Sequence, residues 1–320
     1  GLVWEGPAMN SLTVELDSYL AQRRALGFKL TTSEYLLRQF LAWLETQGGC
    51  DSFTVDDAIS WAREPKLAAP VWWSQRLTAI RPFAAWLNAN GLGIPVIPSG
   101  LLPVRSTRRV PFIYSQRDLD RILTACPLFF TNRRVAATMV MIIGLLAVTG
   151  LRIGEALRLE VPDLEVGEDL LLVRATKRPL DRLVPLDPST TSALVEYLAL
   201  PERVATRPSP VGPIFVNYRG KGFTTASIEQ YFRALVAALG LIQDGQPSPR
   251  LHDLRHTFAT RHMIAAYRNG TNPARTLGLL STWLGHTGPE HTYWYLSAVP
   301  ELLAAAAGRL EPTLEEGTES

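Results

Sequence analysis

Residues 251–262 read Leu-His-Asp-Leu-Arg-His-Thr-Phe-Ala-Thr-Arg-His and place His252, Arg255 and His256 in one helical turn. Leu251, Leu254 and Phe258 stand at the i, i+3, i+7 spacing of a buried helix face. A polar turn on such a helix is costly unless its groups have a partner or a task. Taken alone, an H-x-x-R is a capped helix start with satisfied histidines. Two other stretches supply matching chemistry. In Thr149–Leu157, Thr-Gly-Leu-Arg-Ile-Gly-Glu-Ala-Leu, Gly150 can adopt positive φ and turn the chain into a new helix. Arg152 and Glu155 then share a face at i, i+3, a spacing that by itself is a common surface ion pair. In the third stretch, Leu170–Ala175 and Arg182–Leu186 read as paired strands around the turn Thr-Lys-Arg-Pro-Leu-Asp. That hairpin can push Lys177 into a groove as a point charge.

All five histidines (His252, His256, His262, His286 and His291) fall late in the chain, which raises the question of a metal. No pair at i, i+4 has a glutamate between its members, no cysteine is near, and Arg255 between His252 and His256 would repel a dication. No metal and no other cofactor is expected.

The elements that must position these residues can be read from the rest of the chain. Its 320 residues suggest about two domains, and 47% hydrophobic with 19% charged residues is an ordinary globular composition. A formal net charge of +2 neither demands nor excludes nucleic acid, so the distribution of charge matters more than its sum. Cys50 and Cys126 are far apart and fit buried thiols in a reducing, cytoplasmic setting. The apolar run Ala136–Val148 is too short for a bilayer and reads as a core helix, and no membrane partner is expected. The first residues lack the basic and apolar regions of a signal peptide, and Met9 is the expected natural start.

Four helical patterns precede residue 95: residues 11–28, one capped by Thr31 or Thr32, one after Thr54 and one over Val71–Asn90, the last decorated by Arg76 and Arg81. They describe a helical domain over 9–95. Residues 96–111 are rich in glycine and proline and carry Arg105, Arg108 and Arg109 with no acid, a basic linker able to lie along a phosphate backbone. The second domain, 112–310, alternates helices started by Ser115, Asn132, Asp187, Thr224 or Thr225, and Asn272 with the hairpin and a short strand at Ile214–Val216. Residues 311–320 form an acidic tail. The fold class is mainly α with a small β-sheet or hairpin.

The order Thr-Gly-Leu-Arg-Ile-Gly-Glu-Ala-Leu, hairpin Lys177, His-Asp-Leu-Arg-His-Thr-Phe-Ala-Thr, Leu-Gly-His and a following tyrosine resembles the tyrosine recombinases of the phage-integrase family. The likeness spans the whole C-terminal half. The N-terminal bundle resembles, more loosely, that family's SAM-like core-binding domain. The resemblance implies a catalytic set of Arg152, Lys177, His252, Arg255, His286 and Tyr295, with Glu155 supporting Arg152. Tyr295 follows His286 at the family's usual interval of nine. Tyr293 is its rival, and about 200° of helical rotation separates the two, so both cannot face one phosphate.

A phosphodiester under attack gathers charge on its non-bridging oxygens, which two arginines can fork bidentately. The resemblance implies that Tyr295 forms a 3′-phosphotyrosyl link, Lys177 protonates the leaving 5′-oxygen, His252 helps remove the tyrosine proton and His286 hydrogen-bonds the phosphate. It also implies a metal-independent enzyme acting on double-stranded DNA as a homotetramer or a mixed tetramer. The helix Pro300–Leu310 is the candidate for docking on a neighbour, or else packs on its own domain. Arg105, Arg108, Arg109, Arg133, Arg134, Arg174, Arg178 and Arg182 are the expected DNA-facing cations, contacting phosphates and so not choosing sequence. The local Thr-Tyr-Trp-Tyr-Leu-Ser and the following Pro-Glu-Leu-Leu resemble recombinases carried by transposons, which implies the integration, excision or transposition of a mobile element. The competing readings are an accessory DNA-binding subunit without catalysis and a type IB topoisomerase.

Overall fold

The computed structural model describes residues 11–49, 51–102, 110–174, 181–242, 245 and 248–285. The chain divides into two compact units, residues 1–108 and 109–320.

The first unit is a bundle of four helices, α1 (Ser11–Ala25), α2 (Thr31–Thr46), α3 (Val55–Arg63) and α4 (Pro70–Ala89). Leu16, Leu37, Phe40, Trp61, Ile80 and Phe83 fill its core. The start of α3 follows from local chemistry. The Thr54 hydroxyl accepts the Asp57 N–H while the Asp57 carboxylate accepts the Thr54 N–H, a capping box. The start of α2 differs from expectation. Thr31 is already helical, and the residue before it, Leu30, sits at φ 49° without a side-chain cap. Arg76 does not decorate the surface of α4 either. It is buried, donates to the Trp61 carbonyl at 2.9 Å and lies over the Trp61 ring. Ile97 and Leu102, within the stretch expected as linker, are buried in this same core. Residues 103–109, with Arg105, Arg108 and Arg109, lie outside the described residues.

The second unit is built on α5 (Gln116–Phe129) and α6 (Arg133–Thr149). The near-continuous apolar sequence of α6 is buried on most sides: Met139, Ile142, Ile143, Leu145 and Leu146 are all closed to solvent. Its cap is Asn132, whose side chain accepts the Val135 N–H, and it ends at Gly150, φ 66°. After it come the single turn α7 (Ile153–Ala156) and an antiparallel sheet of β1 (Leu164–Glu165), β2 (Leu170–Val173) and β3 (Arg182–Pro185), in that spatial order. The register of β2 and β3 runs from Leu170 opposite Pro185 to Val173 opposite Arg182.

Strand β1 is too short to leave an alternating pattern in the sequence. Ile214–Val216, expected as a strand, belongs to no ladder among the described residues, although Val216 makes one bridge, to Gly222. The remaining helices among the described residues are α8 (Pro188–Ala199), α9 (Pro201–Val204), α10 (Thr225–Ala238), α11 (Leu251–Arg268) and α12 (Pro273–Trp283). Short α9 opens a stretch rich in proline, with Pro201, Pro208, Pro210 and Pro213.

Helix α11 joins two apolar clusters. Its first turn puts Leu251 and Leu254 into the main core with α6. Its second half puts Phe258, Ala259 and Met263 against Leu277, Leu280 and Leu284. No helix among the described residues is long and apolar enough to cross a membrane.

Candidate active site

Two backbone turns and one helix bring the polar residues together. At the end of α6, Gly150 reverses the chain and leaves its carbonyl without a helical partner. Arg255, on α11 and 1% exposed, donates from Nη1 to that carbonyl at 2.9 Å and from Nη2 to the carbonyl of Leu284 at 2.6 Å. The Gly150 Cα faces the same helix. A Cβ there would lie 2.7 Å from Phe258 Cδ1 and 2.9 Å from Leu284 Cδ2. Glycine is thus required both for φ and for close approach. Trp283 Nε1 donates to the Thr149 carbonyl at 2.8 Å, which fastens the end of α12 to the end of α6.

Two residues beyond Gly150, Arg152 precedes α7. Its backbone N–H donates to Glu155 Oε2 at 3.0 Å and its Nη1 to Glu155 Oε1 at 2.9 Å. The Arg152 side chain keeps 42% of its surface in solvent, whereas that of Glu155 keeps 10%. The expected i, i+3 pair is therefore present but half buried. It has a third member that the sequence did not reveal. Arg182, the first residue of β3, donates from Nη2 to Glu155 Oε2 at 2.9 Å and from Nε to the Trp283 carbonyl at 2.8 Å. Burial opposes ionisation of Glu155. The Arg182 hydrogen bond, the Arg152 N–H and the two guanidinium charges outweigh it and hold the carboxyl at about 2.

His252 occupies the first turn of α11, exposed at the surface, with its ring edge-on to that of His256 at 5.0 Å between centroids. Packing of the surrounding chain, then the charge of Arg255, hold its imidazole below the ordinary histidine value, and Arg152 and Arg250 act in the same direction. The neutral ring is a proton acceptor at neutral pH. The field of Arg152 reaches His252 across the gap between α7 and α11. Arg152, Arg255 and His252 are thus grouped around the α6–α7 turn.

Helix α11 is itself held from the other side. Tyr114 accepts from Arg261 Nη2 at its carbonyl, donates its N–H to Thr257 Oγ1 at 3.0 Å and its hydroxyl to the Arg250 carbonyl at 2.9 Å. The Asp253 carboxylate accepts the Arg250 N–H at 3.0 Å and caps the helix start.

Several expected residues take other positions. Arg174 pairs with Glu160 and with buried Asp163, at 2.9 Å and 2.7 Å. Arg134 is buried and donates to the Val216 carbonyl at 2.8 Å, so it does not present a charge to solvent. Lys177, Arg178, His286, Tyr293, Tyr295 and the helix expected at Pro300–Leu310 lie outside the described residues. Trp283 is a participant that sequence reasoning missed, and Arg182, expected among the DNA-facing cations, is instead engaged by Glu155 and the Trp283 carbonyl. A tryptophan two residues before Gly285 offered one signal, since a buried indole N–H needs an acceptor.

Residues 114–301 match the phage integrase family. A putative integrase/recombinase of Sinorhizobium fredii, y4rB, is 36% identical over 97% of this chain and 100% of its own length. Tyrosine recombinase XerD of Lacticaseibacillus casei is 27% identical over 95% of this chain and 99% of its own. Among solved structures, the Tn1549 transposon integrase in complex with transposon right end DNA shares the fold, with a TM-score of 0.63 at 18% identity over 93% of this chain and 98% of its own. A lambda integrase dimer bound to a core site gives 0.62 at 16% identity, over 89% of this chain and 76% of its own. With the family matched across most of the second unit and a relative aligned end to end, this chain belongs to the phage integrase family of tyrosine recombinases.

Proposed function

We propose that the protein cuts and rejoins double-stranded DNA at specific sites through a 3′-phosphotyrosyl intermediate, in the integration, excision or transposition of a mobile element. The observation that carries this is the grouping of Arg152, Arg255 and His252 around the α6–α7 turn, with Arg152 half exposed and backed by Glu155. The likeness to a putative integrase/recombinase over the full chain supports it.

Arg152 offers its half-exposed guanidinium to the non-bridging oxygens of the scissile phosphate, and Arg255, held through Nη1 and Nη2 by the Gly150 and Leu284 carbonyls, adds its positive charge to the same site. Preorganised in a partly dry site, they stabilise the charge of the transition state without reorganising. Neutral His252 accepts the proton of the attacking tyrosine. Tyr295 is the nucleophile, Lys177 the acid for the 5′-oxygen and His286 a further phosphate donor. The covalent link conserves the phosphodiester energy, so rejoining needs no nucleotide cofactor. Arg105, Arg108, Arg109 and Arg178 contact backbone phosphates, and four protomers, identical or mixed with related recombinases, assemble on two duplexes.

Covalent trapping tests this. The purified protein is incubated with duplex DNA from the flanks of its own gene, nicked near candidate sites, and denatured. An adduct that survives denaturation and disappears with Tyr295→Phe but not Tyr293→Phe is the expected result. Loss with Tyr293→Phe alone would move the nucleophile by two residues. DNA binding with no adduct from any variant would favour the accessory reading. Supercoil relaxation by a monomer without strand exchange would favour the topoisomerase.

A further inference from the structure

We propose that Arg182 is a positioning residue that keeps the charge of Arg152 available to an oxyanion, by acting as the second counter-ion of Glu155 and as a clamp on the end of α12. This deepens the reading above and rests on it for the identity of the oxyanion, a DNA phosphate.

The argument begins with charge. Glu155 is a nearly closed carboxylate with both oxygens engaged. Were Arg152 its sole partner, the pair would be neutral, and the guanidinium would be drawn onto the carboxylate it is meant only to lean on. Arg182 changes this. Its Nη2 takes Glu155 Oε2 at 2.9 Å and its Nη1 takes Oε1 at 3.3 Å, a fork across the whole carboxylate. Two guanidinium groups on one carboxylate leave a net positive charge. The more exposed cation is Arg152, at 42% against 18% for Arg182. The surplus therefore faces the open side.

The second part is geometric. Arg182 Nε donates to the Trp283 carbonyl at 2.8 Å. Its guanidinium lies over Gly285, where a Cβ would come within 3.1 Å of Nη1. One side chain thus spans β3, α7 and the last turn of α12, beside the Leu284 carbonyl that Arg255 holds. With three of its donor groups engaged in the described structure, Arg182 is a strut between α7, which Arg152 precedes, and the end of α12, where Arg255 is held, and it is not placed as a DNA contact.

The test uses the full chain as Arg182→Gln, Arg182→Lys and the double variant Glu155→Gln/Arg182→Gln. Two readouts are taken. The first is the single-turnover rate of covalent adduct formation on nicked duplex, with duplex affinity measured alongside. The second is the rise in Tm produced by inorganic vanadate, with Arg152→Ala as the control that abolishes it. Arg182→Gln is expected to slow adduct formation about 10- to 100-fold, below the loss of about 100- to 1000-fold for a group that itself touches the oxyanion. Duplex affinity should change less than about threefold, since no phosphate contact is lost.

Removing Glu155 as well should restore part of the rate and of the vanadate response, because no carboxylate then offsets the positive charge of Arg152. Arg182→Lys should fall between wild type and Arg182→Gln, as one point charge replaces a fork. A double variant no better than Arg182→Gln would reduce Arg182 to a packing residue and overturn the proposal, as would Arg182→Gln behaving like wild type in both readouts. If the wild type forms no adduct but the vanadate pattern holds, the recombinase reading fails and the role of Arg182 stands. No adduct and no vanadate response sinks both.

Discussion

Replacing Gly150 by alanine puts strain at the point where α6 hands the chain to α7. Gly150 sits at φ 66°, in the left-handed region, which costs an L-residue roughly 1–2 kcal/mol. The new Cβ would lie 2.7 Å from Phe258 Cδ1 and 2.9 Å from Leu284 Cδ2. Both neighbours belong to one closed apolar cluster, so neither can swing away, and overpacking of this kind costs about 1–3 kcal/mol. Alanine also restricts the unfolded chain, which returns about 0.4–1 kcal/mol. The net expectation is a loss of about 1–4 kcal/mol. The assay is urea unfolding of the second unit, followed by tryptophan fluorescence. Gly154→Ala is the control: it lies in α7 without positive φ, and its Cβ would meet only the far end of Arg158 at 3.3 Å. A Gly150→Ala protein within about 0.5 kcal/mol of wild type would refute the reasoning, for such a value is ordinary for a surface change.

Other consequences can be checked directly. Glu155, held at about 2 against an ordinary 4.5, contributes about 3 kcal/mol that is present above pH 4.5 and lost as pH falls towards 2; Glu155→Gln should flatten that limb of urea stability against pH. Since His252 is held below its ordinary 6.5, kcat/KM for adduct formation should be level from pH 8 to 6.5 and decline only on further acidification; a decline beginning near pH 8 would exclude it as the acceptor. Tyr114→Phe removes the hydroxyl that donates to the Arg250 carbonyl and should cost about 0.5–1.5 kcal/mol in urea unfolding. Cys126 is buried, with its thiol pushed up to about 11, so in a Cys50→Ser background iodoacetamide should label it only after denaturant is added.

What the sequence disclosed and what it hid divide along a physical line. Helix starts at Thr54, Ser115, Asn132, Asp187, Thr224 and Asn272 were legible because a cap is made by groups within three residues of one another. Arg152, Glu155, His252 and Arg255 each stood out through a motif with its own spacing, and it was the family resemblance that implied that they belong to one set. The destinations of the other cations were not legible. Arg76, Arg134 and Arg182 serve carbonyls that are 15, 82 and 101 residues away in the chain. Nothing in a periodic pattern distinguishes a cation that turns inward to a distant carbonyl from one that faces water. The same holds for β1, whose two residues are defined by a partner strand and not by alternation.

The anchorage of Tyr114 on α11 bears on how the protein tolerates change in length. Three hydrogen bonds, to Thr257, Arg250 and Arg261, set the register of that residue against the helix carrying His252 and Arg255. Chain added or removed upstream of Tyr114 changes the reach of that part of the chain by up to about 3.3–3.6 Å per residue and leaves the register downstream untouched. Length can change there without moving Arg152, His252 or Arg255. Engineered variants can thus change length upstream of Tyr114 independently of the α11 register.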